Sequence, residues 1–372
     1  MRIGVPTEIK VREYRVGLTP ASVGELVLAG HEVVIESGAG EGIGCSDEDY
    51  VSAGGAIVQT AQAVFDFAEM IVKVKEPQPS ETAMLRPHHT LFTYLHLAPD
   101  PVQAEALRQS GCIAIAYETV TDFEGRLPLL TPMSQVAGRM SVSVAAHCLQ
   151  KSQGGRGLML GGVPGVLPAK VVIIGGGVAG SHAAEMAIGA RADVTVFDRS
   201  AKRLSELDAQ FAGAVKTAYS TQVALDQAVL QADVVIGAVL IPGAAAPKLV
   251  TRAMLKDMKD GAVLVDIAID QGGCFETSKA TTHNDPTYII DGVVHYCVAN
   301  MPGAYSRTSA FALNNATLPF ALAIANKGTR AALNADPHLA RGLNVADGEI
   351  CCEPVARDLG MHYVKPDWLT SI

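Results

Sequence analysis

The chain has 372 residues, of which 49% are hydrophobic and 18% charged, and its net charge is −9. This composition is typical of a compact α/β protein large enough for two domains, and it argues against disorder and against a nucleic-acid partner. No apolar run approaches the length of a bilayer span and no basic, apolar leader opens the chain, so we expect a cytoplasmic protein with no membrane partner.

The cysteine pattern excludes two further classes of protein. There are seven cysteines, an odd number, and two of them are adjacent, at Cys351 and Cys352. This suits neither a disulfide framework nor a zinc site, so we expect reduced and mostly buried thiols. The neighbouring pairs His88-His89 and His147-Cys148 rarely direct both side chains at one ion, and we expect no metal site.

The first part of the chain alternates between strands and helices. Apolar runs predict strands at 1–5, 31–36, 70–75, 90–97 and 112–120, and amphipathic patterns predict helices at 22–29, 61–68 and 101–109. Such alternation implies a mostly parallel sheet. The first 130 or so residues are therefore predicted to form a doubly wound α/β unit, although they lack a glycine fingerprint.

A break follows at 128–134, where two prolines interrupt the pattern before a helix predicted at 134–150. Beyond it, residues 170–198 contain a β-branched strand at 171–174, then glycines, then an alanine-rich helix at 181–190. A second strand at 194–197 ends on Asp198. This succession of strand, glycine loop, helix, strand and acid favours a dinucleotide-binding unit over a plain glycine turn.

The glycines Gly175, Gly177 and Gly180 have the spacing G-x-G-x-x-G. The first permits a tight turn, the second lets the backbone approach a pyrophosphate, and the third lets the helix pack on the strand. The phosphates would lie at the helix N-terminus. The carboxylate of Asp198 can accept from both ribose hydroxyls and repels a 2′-phosphate, so the sequence predicts NAD as the cofactor rather than NADP.

Three more strands are predicted, at 232–240, 262–270 and 295–299, before a second break at 301–303 and a long helix at 306–326. If the two breaks bracket one domain, the C-terminal segment belongs with the N-terminal one. We therefore predict an NAD-binding Rossmann domain at 133–303 and a discontinuous substrate domain made of 1–132 and 304–372. The predicted fold class is α/β, with two doubly wound Rossmann-like domains separated by a hinged cleft.

Polar residues at the ends of predicted strands are candidates for chemistry, because ligands of open α/β sheets bind beyond the carboxyl ends of the strands. The first domain offers Arg15, Lys75, His96 and Glu118, and the second offers Asp198, Asp270 and Asn300. If the domains face each other, these groups converge on a substrate held by one domain and a nicotinamide held by the other.

Each candidate also has an ordinary structural interpretation. His96 can exchange a proton near neutral pH, but a histidine at a strand end is often purely structural. Asp270 can support such a histidine or simply cap a turn. Arg15 offers a planar fork for a carboxylate, or a surface salt bridge with Glu13 or Glu8. Lys75 can bind substrate or extend its ammonium into solvent.

Several motifs closely resemble those of the L-alanine dehydrogenases, essentially from end to end. They are the N-terminal MRIGVPTEIK and RVGLTP, then KVKEP at 73–77, YLH at 94–96, AYETV at 116–120, PMS at 132–134, VANMPG at 298–303 and the glycine loop. The same superfamily includes the NAD-binding part of proton-translocating transhydrogenase and saccharopine dehydrogenase.

The resemblance implies a reaction and a set of site residues. Arg15 and Lys75 would hold the substrate carboxylate or keto oxygen, His96 would be the acid/base, and Asp270 would help with water and ammonia. The residues implied to bind NAD are Ser134, Gly175, Gly177, Val178, Ala179, Gly180, Asp198, Arg203, Ser220, Val239, Leu240, Ile267, Asp270, Asn300 and Met301. A homohexamer is also implied. Gly176 stands where the family commonly has a small side chain such as alanine, and we expect it to loosen the loop slightly.

The implied reaction is the reversible oxidative deamination of L-alanine to pyruvate and ammonia, with a small substrate pocket. One alternative is a transhydrogenase half that passes hydride to a partner's NADP, which the motifs YLH and PMS count against. A second is a non-catalytic NAD sensor, which would not require the set Arg15, Lys75, His96 and Asp270. An opine- or lysine-directed dehydrogenase is a third, although nothing in the sequence marks a larger pocket.

Overall fold

The computed structural model describes residues 1–239 and 246–371. The chain folds as two compact units. Unit 1 comprises Met1–Met133 and Tyr305–Ile372, and unit 2 comprises Ser134–Ala304. Among the described residues, no helix combines the length and apolarity needed to cross a membrane. All seven cysteines are buried as unpaired thiols, as the sequence predicts.

The strands, in chain order, are β1 (Arg2–Val5), β2 (Glu32–Glu36), β3 (Ala56–Val58), β4 (Met70–Val72), β5 (Thr90–Thr93), β6 (Ile113–Ala116), β7 (Lys170–Ile174), β8 (Asp193–Asp198), β9 (Lys216–Tyr219), β10 (Val234–Gly237), β11 (Val263–Asp266), β12 (Thr287–Ile290), β13 (Val293–Tyr296), β14 (Leu343–Ala346) and β15 (Glu349–Ile350).

The α-helices are α1 (Pro20–Leu28), α2 (Asp47–Ser52), α3 (Ala61–Phe67), α4 (Pro79–Thr82), α5 (Pro101–Ser110), α6 (Thr131–Cys148), α7 (Val178–Gly189), α8 (Ala201–Phe211), α9 (Gln222–Gln231), α10 (Arg252–Leu255), α11 (Ser306–Lys327), α12 (Thr329–Ala335), α13 (Pro337–Ala340) and α14 (Glu353–Leu359). Short 3₁₀ helices cover Glu41–Ile43, Tyr117–Thr119, Lys151–Gln153, Ile267–Gln271 and Met301–Tyr305.

The sheet of unit 1 has the strand order β15-β14-β6-β5-β4-β1-β2-β3. The six strands from β1 to β6 pair in parallel, and β14 and β15 extend the sheet with antiparallel pairs. The chain winds outward from β1 in both directions, so the order reverses between β1 and β4. This is the strand order of a doubly wound fold, in which ligands bind where the order reverses.

The sheet of unit 2 has the order β12-β13-β11-β10-β7-β8-β9. Its strands are parallel except β12, which pairs antiparallel with β13. The order reverses between β7 and β10, where the glycine loop leaves β7. The predicted class, two doubly wound α/β units, is therefore confirmed.

The central strands of the two sheets, β4, β5 and β6 in unit 1 and β10 and β11 in unit 2, are buried on both faces. In β7, Val171 and Ile173 pack into one hydrophobic cluster of unit 2, and Val172 and Ile174 pack into the cluster on the opposite face. The strands of unit 1 alternate in the same way between two clusters of their own. Burial on both faces explains why these strands are continuous apolar runs without a polar alternation.

Several predicted element boundaries are wrong. Strand β4 ends at Val72, β5 at Thr93 and β11 at Asp266, so Lys75, His96 and Asp270 lie in segments beyond the strands. After β11, the Asp266 side chain accepts from the amide of Ala268 and begins a 3₁₀ turn in place of further strand. Helices also begin early: α7 starts at Val178, immediately after the loop glycine Gly177, and α6 starts at Thr131.

Candidate functional site

Unit 1 places four of the predicted polar residues after neighbouring strands. Arg15 follows β1, Lys75 follows β4, His96 follows β5 and Glu118 follows β6, and these strands are adjacent in the sheet. Since the carboxyl ends of parallel strands share one edge, all four segments emerge at the same edge of unit 1. This edge includes the point between β1 and β4 where the strand order reverses.

Arg15 is buried and locked in place by Glu13. Its Nε and Nη2 atoms each donate to a different Glu13 oxygen at 2.6 Å, and its Nη1 lies 2.9 Å from the sulfur of Met133. Burial alone would lower the pKa of Arg15, but Glu13 raises it, with further contributions from Tyr94 and Glu8, and the net shift is upward. The predicted salt bridge with Glu13 exists, yet its side chains are 2% and 0% exposed, so the surface interpretation of Arg15 is wrong.

His96 has φ +48°, a left-handed backbone conformation that residues other than glycine rarely adopt. Its amide donates to Glu118 Oε1 at 2.6 Å, and this charge-assisted hydrogen bond offsets the strain. The imidazole ring stacks on Tyr94 at 5.8 Å between centroids and 5° between planes. Tyr94 is anchored in turn by its hydroxyl, which donates to the carbonyl oxygen of Leu129 at 2.6 Å. The ring is held on one side while 43% of the side chain stays exposed.

Glu118 organises the segment that carries His96. Besides the His96 amide, its two oxygens lie 3.2 and 3.3 Å from the amide of Leu95. The sequence places Glu118 at a strand end but gives it no role. The clue to this role was its position two residues beyond the end of β6, the strand that pairs with β5.

Lys75 is half-buried, with its backbone tied at two points. Its amide lies 3.4 Å from Glu8 Oε2, and its carbonyl accepts from the hydroxyl of Thr93 at 3.0 Å. Burial alone would raise the pKa of Glu76, but the ammonium groups of Lys75 and Lys10 outweigh it and lower that pKa. Lys75 thus adds a positive charge to the edge that carries Arg15.

In unit 2, each loop glycine meets a different demand. Gly175 has φ +102°, and a Cβ there would lie 2.7 Å from the carbonyl oxygen of Ala238. A Cβ on Gly180 would lie 1.8 Å from the carbonyl oxygen of Gly175, which only glycine avoids. A Cβ on Gly177 would meet nothing within 4 Å in the described structure, so that position is open for a ligand. The geometry fits the turn, packing and approach roles predicted for the three glycines.

Helix α7 begins at this open position. Its N-cap is Gly177, and no side chain of the described residues caps it. The first amides of the helix, from Val178 to Gly180, therefore point into the region beyond the loop, where the helix dipole favours an anion. A pyrophosphate would satisfy these donors.

Asp198 and Arg203 hold the loop between them. The two oxygens of Asp198 accept from the amides of Gly176 and Ser200 at 2.7 and 2.8 Å. Arg203 donates through Nε to the carbonyl of Gly176 at 2.6 Å and through Nη2 to the Ser181 hydroxyl at 2.5 Å. Gly176 is thus hydrogen-bonded through both its amide and its carbonyl, and the expectation that glycine loosens this loop slightly stays a prediction.

The remaining residues predicted to bind NAD fall into two groups in unit 2. Ser220 follows β9 and donates from its amide to the carbonyl of Asp198 at 3.0 Å. Ser134 lies one helical turn before Gly138, where an added Cβ would lie 2.2 Å from the carbonyl oxygen of Ala179. This contact brings α6 against the start of α7. Val239 adjoins the turn at Gly175, and Leu240 lies outside the described residues.

The second group follows β11 and β13. Ile267 is partly buried and Asp270 is exposed, both on the 3₁₀ helix Ile267–Gln271. Asn300 has φ +60°, and its carbonyl lies 3.2 Å from His283 Nε2. Met301 is only 3% exposed and packs in the core of unit 2.

Asp266, which the sequence analysis overlooked, organises the segment that carries Asp270. It is fully buried, and its oxygens accept from the amides of Ala268 at 3.0 Å and Cys274 at 2.9 Å, and from the hydroxyl of Ser278. Burial raises the pKa of this carboxyl. The clue to this role in the sequence was that Asp266 is an acidic residue at the end of an apolar run, four residues before Asp270.

Comparison with known proteins shows which family the chain belongs to. Residues 4–137 match the family model "Alanine dehydrogenase/PNT, N-terminal domain", and residues 141–353 match "Alanine dehydrogenase/PNT, C-terminal domain". The chain belongs to the alanine dehydrogenase/PNT family. An alanine dehydrogenase of Halomonas elongata is 58% identical over 98% of this chain and 98% of its own length.

Two solved structures of the family differ in how closely they match. One named L-alanine dehydrogenase is 51% identical, covers 97% of this chain and 99% of its own, and has a TM-score of 0.94. A transhydrogenase from Sinorhizobium meliloti is 25% identical, covers 95% of this chain and 99% of its own, and has a TM-score of 0.81. Within the alanine dehydrogenase/PNT family, the chain is thus more similar to this L-alanine dehydrogenase than to this transhydrogenase.

Proposed function

We propose that this chain catalyses the reversible, NAD-dependent oxidative deamination of L-alanine to pyruvate and ammonia. The observation that carries the proposal is the 58% identity, over almost the whole of both chains, to a protein named alanine dehydrogenase. The cations and the histidine at adjacent strand ends of unit 1 support it. We assign substrate binding to unit 1 and NAD binding to unit 2.

The residues of unit 2 fit NAD. The capless start of α7 would bind the pyrophosphate through backbone amides, and the open side of Gly177 would admit it. The carboxylate of Asp198, fixed beside the glycine loop, would accept from the ribose hydroxyls. When bound, NAD supplies the acceptor for the hydride that leaves the alanine Cα.

Unit 1 carries the groups that would orient the amino acid. The Arg15 guanidinium, held rigid and charged by Glu13, would pair with the substrate carboxylate. The Lys75 ammonium would add a second donor to the carboxylate or to the keto oxygen of pyruvate. Fixing both ends of a small substrate lowers the entropy cost of reaching the reactive geometry.

His96 would move the protons. Loss of the hydride leaves an iminium, and a water adds to its carbon as His96 takes a proton from that water. His96 then returns that proton to the nitrogen and takes the hydroxyl proton as the C–N bond breaks, so that the C=O of pyruvate forms and ammonia leaves. Asp270 would help to bind the water and the ammonia. The exposed imidazole, oriented by Tyr94 and Glu118, suits this exchange.

We further propose that the chain assembles as a homohexamer and works in the cytoplasm. The hexamer rests on the family resemblance, and sedimentation velocity would test it by the mass of the particle. The seven buried, unpaired thiols suit a reducing compartment. A fluorescent fusion expressed in its own cells would reveal the compartment.

The first experiment measures NADH formation by the purified protein with NAD and L-alanine, with glycine, L-serine and L-lysine in parallel. We expect rapid NADH formation with L-alanine alone among these amino acids. A second assay offers NADPH and an oxidised NAD analogue. NADH binding without turnover of any amino acid would contradict the proposal, and hydride transfer between nucleotides would favour the transhydrogenase alternative.

A further inference from the structure

Unit 1 contains a buried ion triad, made of Glu8, Lys73 and Glu81, that the proposed mechanism does not use. The Lys73 ammonium lies 3.2 Å from Glu8 Oε2 and 2.6 Å from Glu81 Oε1. Lys73 is 0% exposed, Glu81 1% and Glu8 8%. Charges buried in this way often stabilise a fold less than apolar residues of similar size would, so stability alone does not account for the triad.

The triad lies where the strand order of unit 1 reverses. Glu8 is in the segment after β1, and Lys73 directly follows β4. Glu8 Oε1 accepts from the amide of Val74 at 2.6 Å, and Oε2 lies 3.4 Å from the amide of Lys75. Glu8 therefore fixes the backbone that ends at Lys75, and its charge also acts on Arg15.

We propose that Glu8 is a positioning residue for the substrate site: it sets the place of Lys75, and the field around Arg15, from within the buried ion triad. This inference rests on the proposed function. Within the described structure, Glu8 accepts from two amides, of Val74 and Lys75, and from one ammonium, of Lys73. A glutamine at this position must turn its own NH₂ group towards one of them, whichever way it is oriented.

Glu81 provides a matched control. Its Oε1 accepts from Lys73, and its Oε2 accepts from the amide of Gln78 at 2.7 Å, so glutamine is equally unsuited there. The backbone that Glu81 holds, however, is the start of helix α4, beyond Lys75. Glu81→Gln disturbs the same lysine and the same triad without touching the amides of Val74 and Lys75.

The test compares wild type, Glu8→Gln and Glu81→Gln in steady-state kinetics and thermal unfolding. We expect Glu8→Gln to raise KM for L-alanine and pyruvate about ten-fold, because a misplaced cation binds a small substrate poorly, with KM for NAD unchanged. Both variants should lower Tm by a similar amount. Glu81→Gln, however, should leave all KM values within about two-fold of wild type.

Equal changes of KM in the two variants, or no change in Glu8→Gln, would overturn the inference while leaving the proposed function in place. If Glu8→Gln does not fold, Glu8→Asp replaces it, since it keeps the charge but shortens the reach to Val74, and the same selective rise in KM is expected. A wild type that does not turn over alanine would instead refute the proposed function, and the inference with it.

Discussion

The two units share the order of their first five strands and differ in the connection at the place where that order reverses. In unit 2 the first strand, β7, passes into helix α7 through the three-glycine segment 175–177. In unit 1 the first strand, β1, passes into α1 through the long segment 6–19, which carries Glu8, Glu13 and Arg15. The connection in unit 2 consists of glycines without side chains, whereas the connection in unit 1 carries several charged side chains.

This difference teaches how one fold serves two ligands. A short glycine loop exposes backbone amides at a helix start, and these suit the phosphates of a large cofactor. A long loop carries charged side chains, among them Arg15, which is paired with Glu13 and to which we assign the carboxylate of a small substrate. On the proposed assignment, the two units share the place where a ligand binds, and the connection after the first strand determines the kind of ligand.

The units also share a device. Glu118 in unit 1 accepts the amides of Leu95 and His96, and Asp266 in unit 2 accepts the amides of Ala268 and Cys274. In each unit a carboxylate near a strand end thus shapes a segment that carries a proposed functional residue. The segments need fixed geometry beyond the strands, where sheet hydrogen bonds no longer supply it.

The largest expected effect tests the chemistry assigned to unit 1. Replacing His96 by Ala should lower kcat about 10²- to 10⁴-fold, because a positioned acid/base is lost. NADH affinity, assigned to unit 2, should not change, as measured by fluorescence titration. The exposed His362→Ala is the control and should behave as wild type. Turnover that survives in His96→Ala would remove His96 from the mechanism.

The second effect concerns the acid stability of unit 1, through the buried His89. Burial, with a smaller contribution from His88, lowers the pKa of His89 from 6.5 to about 4. Its Nδ1 accepts from the amide of Arg86 at 3.0 Å, and its Nε2 donates to the carbonyl of Phe65 at 2.9 Å, so a protonated ring loses one bond. Burial also lowers the pKa of His295 in unit 2, but its Nε2 lies 2.8 Å from Thr277 Oγ1, a hydroxyl that can accept from a protonated ring.

The direction of this acid effect follows from proton uptake. Below pH 6.5 the unfolded chain protonates His89 while the folded chain does not until about pH 4, so stability falls as pH drops through this window. We expect a loss of about 3 kcal/mol between pH 7 and pH 4 from this residue. Urea unfolding of His89→Gln should show a flatter pH dependence than wild type, with His362→Gln as control. An unchanged slope in His89→Gln would contradict the assignment.

The sequence predicted the buried strands and the glycine loop better than the points where the strands end. Continuous β-branched runs such as 171–174 identify strands buried on both faces, and the glycine spacing identifies the loop that follows. The ends of β5 and β11 could not be predicted, because apolar residues continue past both strands and tertiary contacts end the ladder. Glu118 and Asp266, which make those contacts, come from distant or adjoining segments, so no local pattern marks them.

The triad was hidden for a similar reason. Glu8, Lys73 and Glu81 look like surface charges in the sequence, because nothing local shows that β1 and β4 are neighbours. Arg15 shows the same limit, since its partner Glu13 was predicted while its burial was not. Pairing across the sheet decides burial, and burial decides what a charge does.

The third effect compares two glycines of unit 2. Gly177→Ala adds a Cβ that meets nothing in the described structure, so Tm should not change, yet NADH affinity should fall about ten-fold because the methyl group occupies the approach to the pyrophosphate. Gly180→Ala should lower both Tm and NADH affinity, since its Cβ would lie 1.8 Å from the carbonyl oxygen of Gly175. Equal Tm losses in both variants would contradict an open position at Gly177.

The smallest effect concerns the choice of cofactor. Asp198→Ala removes the proposed partner of the ribose hydroxyls and the repulsion against a 2′-phosphate, so NADH affinity should fall about five-fold while NADPH affinity rises. Asp193→Ala is the matched control, because it lies at the opposite end of β8 and pairs with Lys216. It should leave both affinities unchanged. If the ratio of the two affinities moves equally in both variants, general weakening of β8 explains the change, and the ribose contact belongs to another residue.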